Sequence, residues 1–121
     1  MNLLPEETAL EAIERLIRQT ENKKIEWKPF GAPDDEGHEE YLVKLKKFKF
    51  YIRAGILADE PPIVFQAWRL PPAPGEDSQL VYENYNYAPR FRDQLERLFP
   101  LARESALNIE SLAQELLQEL E

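Results

Sequence analysis

The chain has 121 residues, no cysteine, one histidine and a formal net charge of −8, with 43% hydrophobic and 31% charged residues. That length suits one domain, and a domain of this size buries enough of its unfolded surface to hold a core without disulfide or metal staples. The balance excludes a disordered or a disulfide-built chain, and scarce thiol and imidazole remove most nucleophile, general-base and soft-metal constellations.

No apolar run reaches the roughly 18 residues of a membrane span. The opening Met-Asn-Leu-Leu-Pro-Glu-Glu has no basic region before an apolar stretch, so a cytoplasmic protein is the expectation. Charge is uneven: Lys44, Lys46, Lys47, Lys49 and Arg53 follow Tyr41 with no acid between, whereas Glu104, Glu110, Glu115, Glu119 and Glu121 follow Arg103 with no base.

Residues 5–22 read as a helix. Pro5 suits its first turn, Glu6, Glu7 and Glu11 lie near the positive end of its dipole, and Leu10, Ile13, Leu16 and Ile17 form one apolar stripe. Residues 25–28 alternate as a brief strand ending at Pro29, and residues 31–40 read as an exposed loop holding His38. Residues 41–54 carry the clearest strand signal and a phase change, from Tyr41, Val43 and Leu45 to Phe48, Phe50 and Ile52. One extra residue must be absorbed near Lys46 and Lys47, by a β-bulge or a two-residue hairpin turn. Lys-Lys is poor chemistry for a tight turn, so the bulged strand is favoured.

Residues 58–62 form a turn and residues 63–70 a second strand, apolar on both faces as a strand buried on two sides is. Residues 71–78 are an exposed connection, and residues 79–87 a third strand ending in Tyr82, Tyr85 and Tyr87. Residues 90–105 read as a helix that Pro100 should kink or restart. Asn108 then caps a last helix whose stripe is Ile109, Leu112, Ala113, Leu116, Leu117 and Leu120. Closing the core is favoured for that stripe over making a two-fold dimer. The expected fold is α+β: a three- or four-stranded antiparallel meander, covered on one face by the N-terminal helix and the two C-terminal helices.

The run Thr20-Glu21-Asn22-Lys23-Lys24-Ile25-Glu26-Trp27 resembles the Thr-x-x-x-Lys-Ile-x-Trp helix end of a group of small bacterial proteins without an established activity. Their C-terminal pattern is similar to Leu95 through Leu98 and Phe99, then Leu101-Ala102-Arg103, Ala106-Leu107 and Ile109, although Pro100 departs from it. The resemblance implies a fold and a bacterial origin, and no mechanism.

His38 stands among Asp34, Asp35, Glu36, Glu39 and Glu40, a set that lacks the spacing of a calcium loop and reads best as a solvated acidic loop. The four glycines form no phosphate cradle, and Ser78, Ser105 and Ser111 have no base partner. No catalytic, cofactor-binding or metal-binding residue is therefore assigned, and no enzyme activity is expected. Two surface features remain as candidate partner-binding residues: the lysine strip of Lys44, Lys46, Lys47 and Lys49, and the tyrosines Tyr85 and Tyr87. For the lysines, protection of a sheet edge is the favoured structural reading. Tyr82, Trp27 and Trp68 join these tyrosines as one reading of an aromatic recognition patch, with core packing as the structural alternative for the tryptophans, and Phe48 and Phe50 point away from the lysines. The expected function is a non-enzymatic bacterial interaction or regulatory module that binds another protein, with a homodimer as one form. The alternative is an acidic inhibitor or immunity-type protein that blocks a basic toxin or nuclease. Neither nucleic acid nor membrane is an expected partner, because a polyanion meets a net charge of −8.

Overall fold

The computed structural model describes residues 2–30, 38–55 and 63–121. Its elements are α1 (Glu6–Glu21), β1 (Lys28–Pro29), β2 (His38–Lys44), β3 (Phe48–Gly55), β4 (Val64–Arg69), β5 (Gln79–Tyr85), α2 (Arg92–Leu107) and α3 (Ile109–Glu119). The fold is α+β, and the sheet is a five-stranded antiparallel meander in the order β1-β2-β3-β4-β5, one strand beyond the upper expectation.

The extra strand comes from the lysine region. Instead of one bulged strand, β2 and β3 form a hairpin: Lys44 lies opposite Lys49, and the Leu45 N–H donates to the Phe48 carbonyl at 2.8 Å. Neither Lys46 nor Lys47 has positive φ, so the turn avoids the conformation that demands Asn-Gly. The Lys47 carbonyl is also occupied, accepting the Leu70 N–H at 2.8 Å. The bulge lies elsewhere, where the β4–β5 register shifts between Ala67 and Trp68 and Val81 is the extra residue of β5. His38, Glu39 and Glu40 begin β2 and do not belong to a loop, whereas Asp34, Asp35, Glu36 and the turn at 58–62 lie outside the described residues.

Strand alternation gives the sheet two faces. On one, Tyr41, Val43, Ile52, Phe65, Ala67 and Tyr82 are buried in a single cluster with Ala9, Ile13, Leu16 and Ile17 of α1 and Leu95, Leu98 and Ala102 of α2. Trp27 joins them, its indole N–H donating to the Thr20 hydroxyl at 3.0 Å while that hydroxyl donates to the Leu16 carbonyl at 2.6 Å. Pro100 does not interrupt α2, because both it and Glu96, whose carbonyl loses its partner, are exposed to water.

The helix break falls at Asn108, in the left-handed conformation at φ 51°, which asparagine tolerates better than most residues. Its side chain makes no capping hydrogen bond. Beyond it, α3 has no buried residue, so its stripe does not close the core, contrary to the reading favoured above. The outer edge of β5 is closed by the N-terminal segment: Leu3 and Leu4 N–H both donate to the Val81 carbonyl, and the Asn2 side chain pairs with both backbone groups of Glu83.

Candidate functional site

The second face of the sheet carries Lys28, Leu42, Lys44, Lys49, Tyr51, Arg53, Val64, Gln66, Trp68, Leu80, Glu83 and Tyr85 by strand register. None of these belongs to the buried core or to the residues packed on it. Large apolar groups therefore stand half-exposed where the other face buries Tyr41, Val43, Ile52, Phe65, Ala67 and Tyr82. Leu80 is 37% exposed, and the flanking Phe30, 51% exposed, meets Tyr51 edge-on at 5.3 Å between ring centroids.

Side chains on this face hold one another in place. The Lys49 ammonium sits 5.6 Å from the centroid of Trp68. The Trp68 indole N–H donates to Gln66 Oε1 at 3.0 Å, the Gln66 amide donates to Glu83 Oε2, and the Tyr85 hydroxyl donates to Glu83 Oε1 at 3.1 Å. Tyr85 stacks on Tyr87 with centroids 5.2 Å apart and planes 6° from parallel. The array runs unbroken from a cation to two stacked rings. Its bond to the Glu83 carboxylate pushes the Tyr85 hydroxyl pKa up. At the other end Arg53 pairs with Glu40 at 3.4 Å, and burial with Glu40 nearby pushes the Tyr51 hydroxyl up.

Of the sequence-derived candidates, Lys44, Lys49 and Tyr85 share this face, Tyr87 reaches it by stacking, and Lys46 and Lys47 sit at the hairpin tip. Among the described residues no ion pair involves Lys44, Lys46, Lys47 or Lys49. Tyr82 belongs to the core instead, as does Trp27. Trp68 does not: it is the aromatic centre of the open face, not a core residue. The missed residues, Gln66 and Glu83, had one legible sign, the glutamine between Val64 and Trp68, which marks a strand phase that meets water.

Glu39 and Glu40 are not solvated loop carboxylates. The Glu39 side chain is only 11% exposed, accepting from Arg103 Nε at 3.1 Å and from the Tyr41 hydroxyl at 2.9 Å, which fastens β2 to α2. Burial, with Glu39 second, pushes the Tyr41 hydroxyl up to about 12. Among the described residues no group of three or more His, Cys, Asp or Glu side chains is placed to hold a metal.

A cleft of about 540 Å³ lies between the end of α1, β1 and the α2–α3 junction. Its two hydroxyls are already engaged: Thr20 with Leu16 and Trp27, and Ser105 as acceptor of the Trp27 backbone N–H at 3.0 Å. No helix among the described residues is long and apolar enough to cross a membrane. The chain matches no protein-family model, no curated protein and no solved structure. Its function is therefore inferred from the geometry of its own surfaces.

Proposed function

We propose that the protein is a non-enzymatic interaction or regulatory module, bacterial and cytoplasmic, that binds another protein through the open face of its sheet. The observation that carries this reading is the continuous array Lys49–Trp68–Gln66–Glu83–Tyr85–Tyr87, which leaves aromatic surface exposed and fixes it by hydrogen bonds and stacking. Tryptophan and tyrosine supply large contact area at small entropy cost, and prior ordering lowers the cost of binding further. The N-terminal segment blocks strand addition at the β5 edge, and recognition by the open face uses side chains.

The test is quantitative capture from a bacterial lysate on immobilised protein. Proteins retained by the wild type and by an Arg97→Ala control should be lost with Trp68→Ala, Tyr85→Ala and Lys49→Glu. Equal capture by all forms, immobilised sparsely enough to keep copies apart, overturns the reading. Loss only when Glu115 and Glu119 are changed to lysine would favour the inhibitor reading, in which acidic surface does the binding. Nucleic acid is not a partner in this proposal, and labelled oligonucleotides should show no anisotropy change at physiological salt. A stoichiometric transition metal in the purified protein would contradict the non-enzymatic reading.

A further inference from the structure

Two apolar surfaces lack a cover among the described residues. One is the open sheet face. The other is α3, where Leu112, Leu116, Leu117 and Leu120 are 56%, 61%, 64% and 76% exposed. At about 100° per residue, Glu115 and Glu119 flank this stripe on one side and Glu110 and Glu121 on the other. Glu110 already pairs with Lys23 at 3.0 Å.

The two surfaces carry opposite charge. The sheet face and its hairpin tip present Lys28, Lys44, Lys46, Lys47, Lys49 and Arg53 against Glu40 and Glu83, and α3 contains no basic residue. They cannot meet within one chain. Asn108 alone joins α3 to α2, which lies on the other face of the sheet, and the Lys23–Glu110 pair holds the start of α3 against the end of α1.

We infer that the open face is covered by α3 of a second copy, each copy offering its C-terminal helix to the other's sheet about a two-fold axis. This inference rests on the open face being the binding surface. Pairing of α3 with α3 would bring acidic flanks together with no cation between them. Area favours exchange as well. An 11-residue helix, about 16 Å long and 10 Å wide, covers a fraction of the roughly 800 Å² per partner that stable complexes bury. Reciprocal exchange makes each copy contribute two patches.

Sedimentation equilibrium of the full chain across the micromolar range tests this. The wild type should be dimeric. Glu115→Lys with Glu119→Lys should weaken the dimer at least about tenfold, and so should Lys44→Glu with Lys49→Glu. Combining all four changes should restore it. Circular dichroism controls for folding, and Leu116→Ala with Leu117→Ala should also dissociate the dimer without altering charge. A wild type that stays monomeric overturns the inference but leaves capture of a different protein by the open face standing. A dimer that survives the sheet-face changes, or a four-fold variant that remains monomeric, likewise overturns it.

Discussion

α2 and α3 are joined through one residue and both present aliphatic side chains at helical spacing, yet α2 buries Leu95, Leu98 and Ala102 while α3 buries nothing. What differs is the surface left for each to meet. α2 lies where α1 and one sheet face supply a complementary apolar layer, and the Glu14–Arg97 and Glu39–Arg103 pairs fasten it there. By the time the chain reaches Asn108 that face is covered. The two sheet faces teach the same lesson: both carry aromatic residues, but one meets helices and the other meets none among the described residues. An amphipathic pattern requires a partner layer without naming the chain that supplies it.

Truncation gives the sharpest contrast between the two helices. Leu98→Ala should cost about 2–5 kcal/mol, and Leu116→Ala about 0.5 kcal/mol or less in protein dilute enough to keep copies apart. Urea denaturation followed by fluorescence measures both, and equal losses would abolish the distinction.

Alkaline titration separates the fastening of the covered face from the rest. The Tyr41 hydroxyl, held up to about 12 by burial and Glu39, favours the folded state while it is protonated. That contribution is complete below the unfolded value near 10 and disappears as pH rises through about 12, on the order of 2–3 kcal/mol. Tyr51 and Tyr82 act in the same direction. In Tyr41→Phe the fall in stability over this range should be shallower, and an unchanged slope would show that Tyr41 does not contribute to it.

The two tryptophans compare the faces at single-bond scale. Thr20→Val leaves the buried Trp27 indole N–H without an acceptor, which should cost about 1–3 kcal/mol. Gln66→Ala should cost less, because the half-exposed Trp68 N–H can turn to water. Thermal unfolding of the pair, in protein dilute enough to keep copies apart, ranks them, and the reverse order would mean that the Trp68 N–H does not meet water in the single copy.

The smallest effect is at the helix ends. Lys23 closes α1 at φ 58°, with the Lys24 N–H donating to the Gln19 carbonyl at 2.9 Å and the Lys23 N–H to Thr20. Lys23→Gly should therefore raise stability by about 0.5–1 kcal/mol, and Asn108→Gly by less, since asparagine already tolerates that conformation. A loss at Lys23 would show that its pair with Glu110 outweighs the backbone relief.

Much of this was legible in the residues themselves. The stripe of Ile13, Leu16 and Ile17, the alternation of Tyr41, Val43 and Ile52, and the phase change at Lys46 and Lys47 depend on local period, which side-chain direction imposes wherever one face is buried. These determined the helices, the antiparallel meander and the α+β class. Tertiary structure alone decided three further things. It made a hairpin where local turn chemistry favoured a bulge, because β4 had to follow β3 closely enough for Leu70 to bond Lys47. It put Trp68 and Tyr85 on one face and Trp27 and Tyr82 in the core, because alternation separates the two phases of a strand whereas the packing of α1 and α2 decides which phase is covered. And it left α3 uncovered, because a helix stripe records the need for burial, whereas the cover depends on which surfaces the rest of the chain has already used.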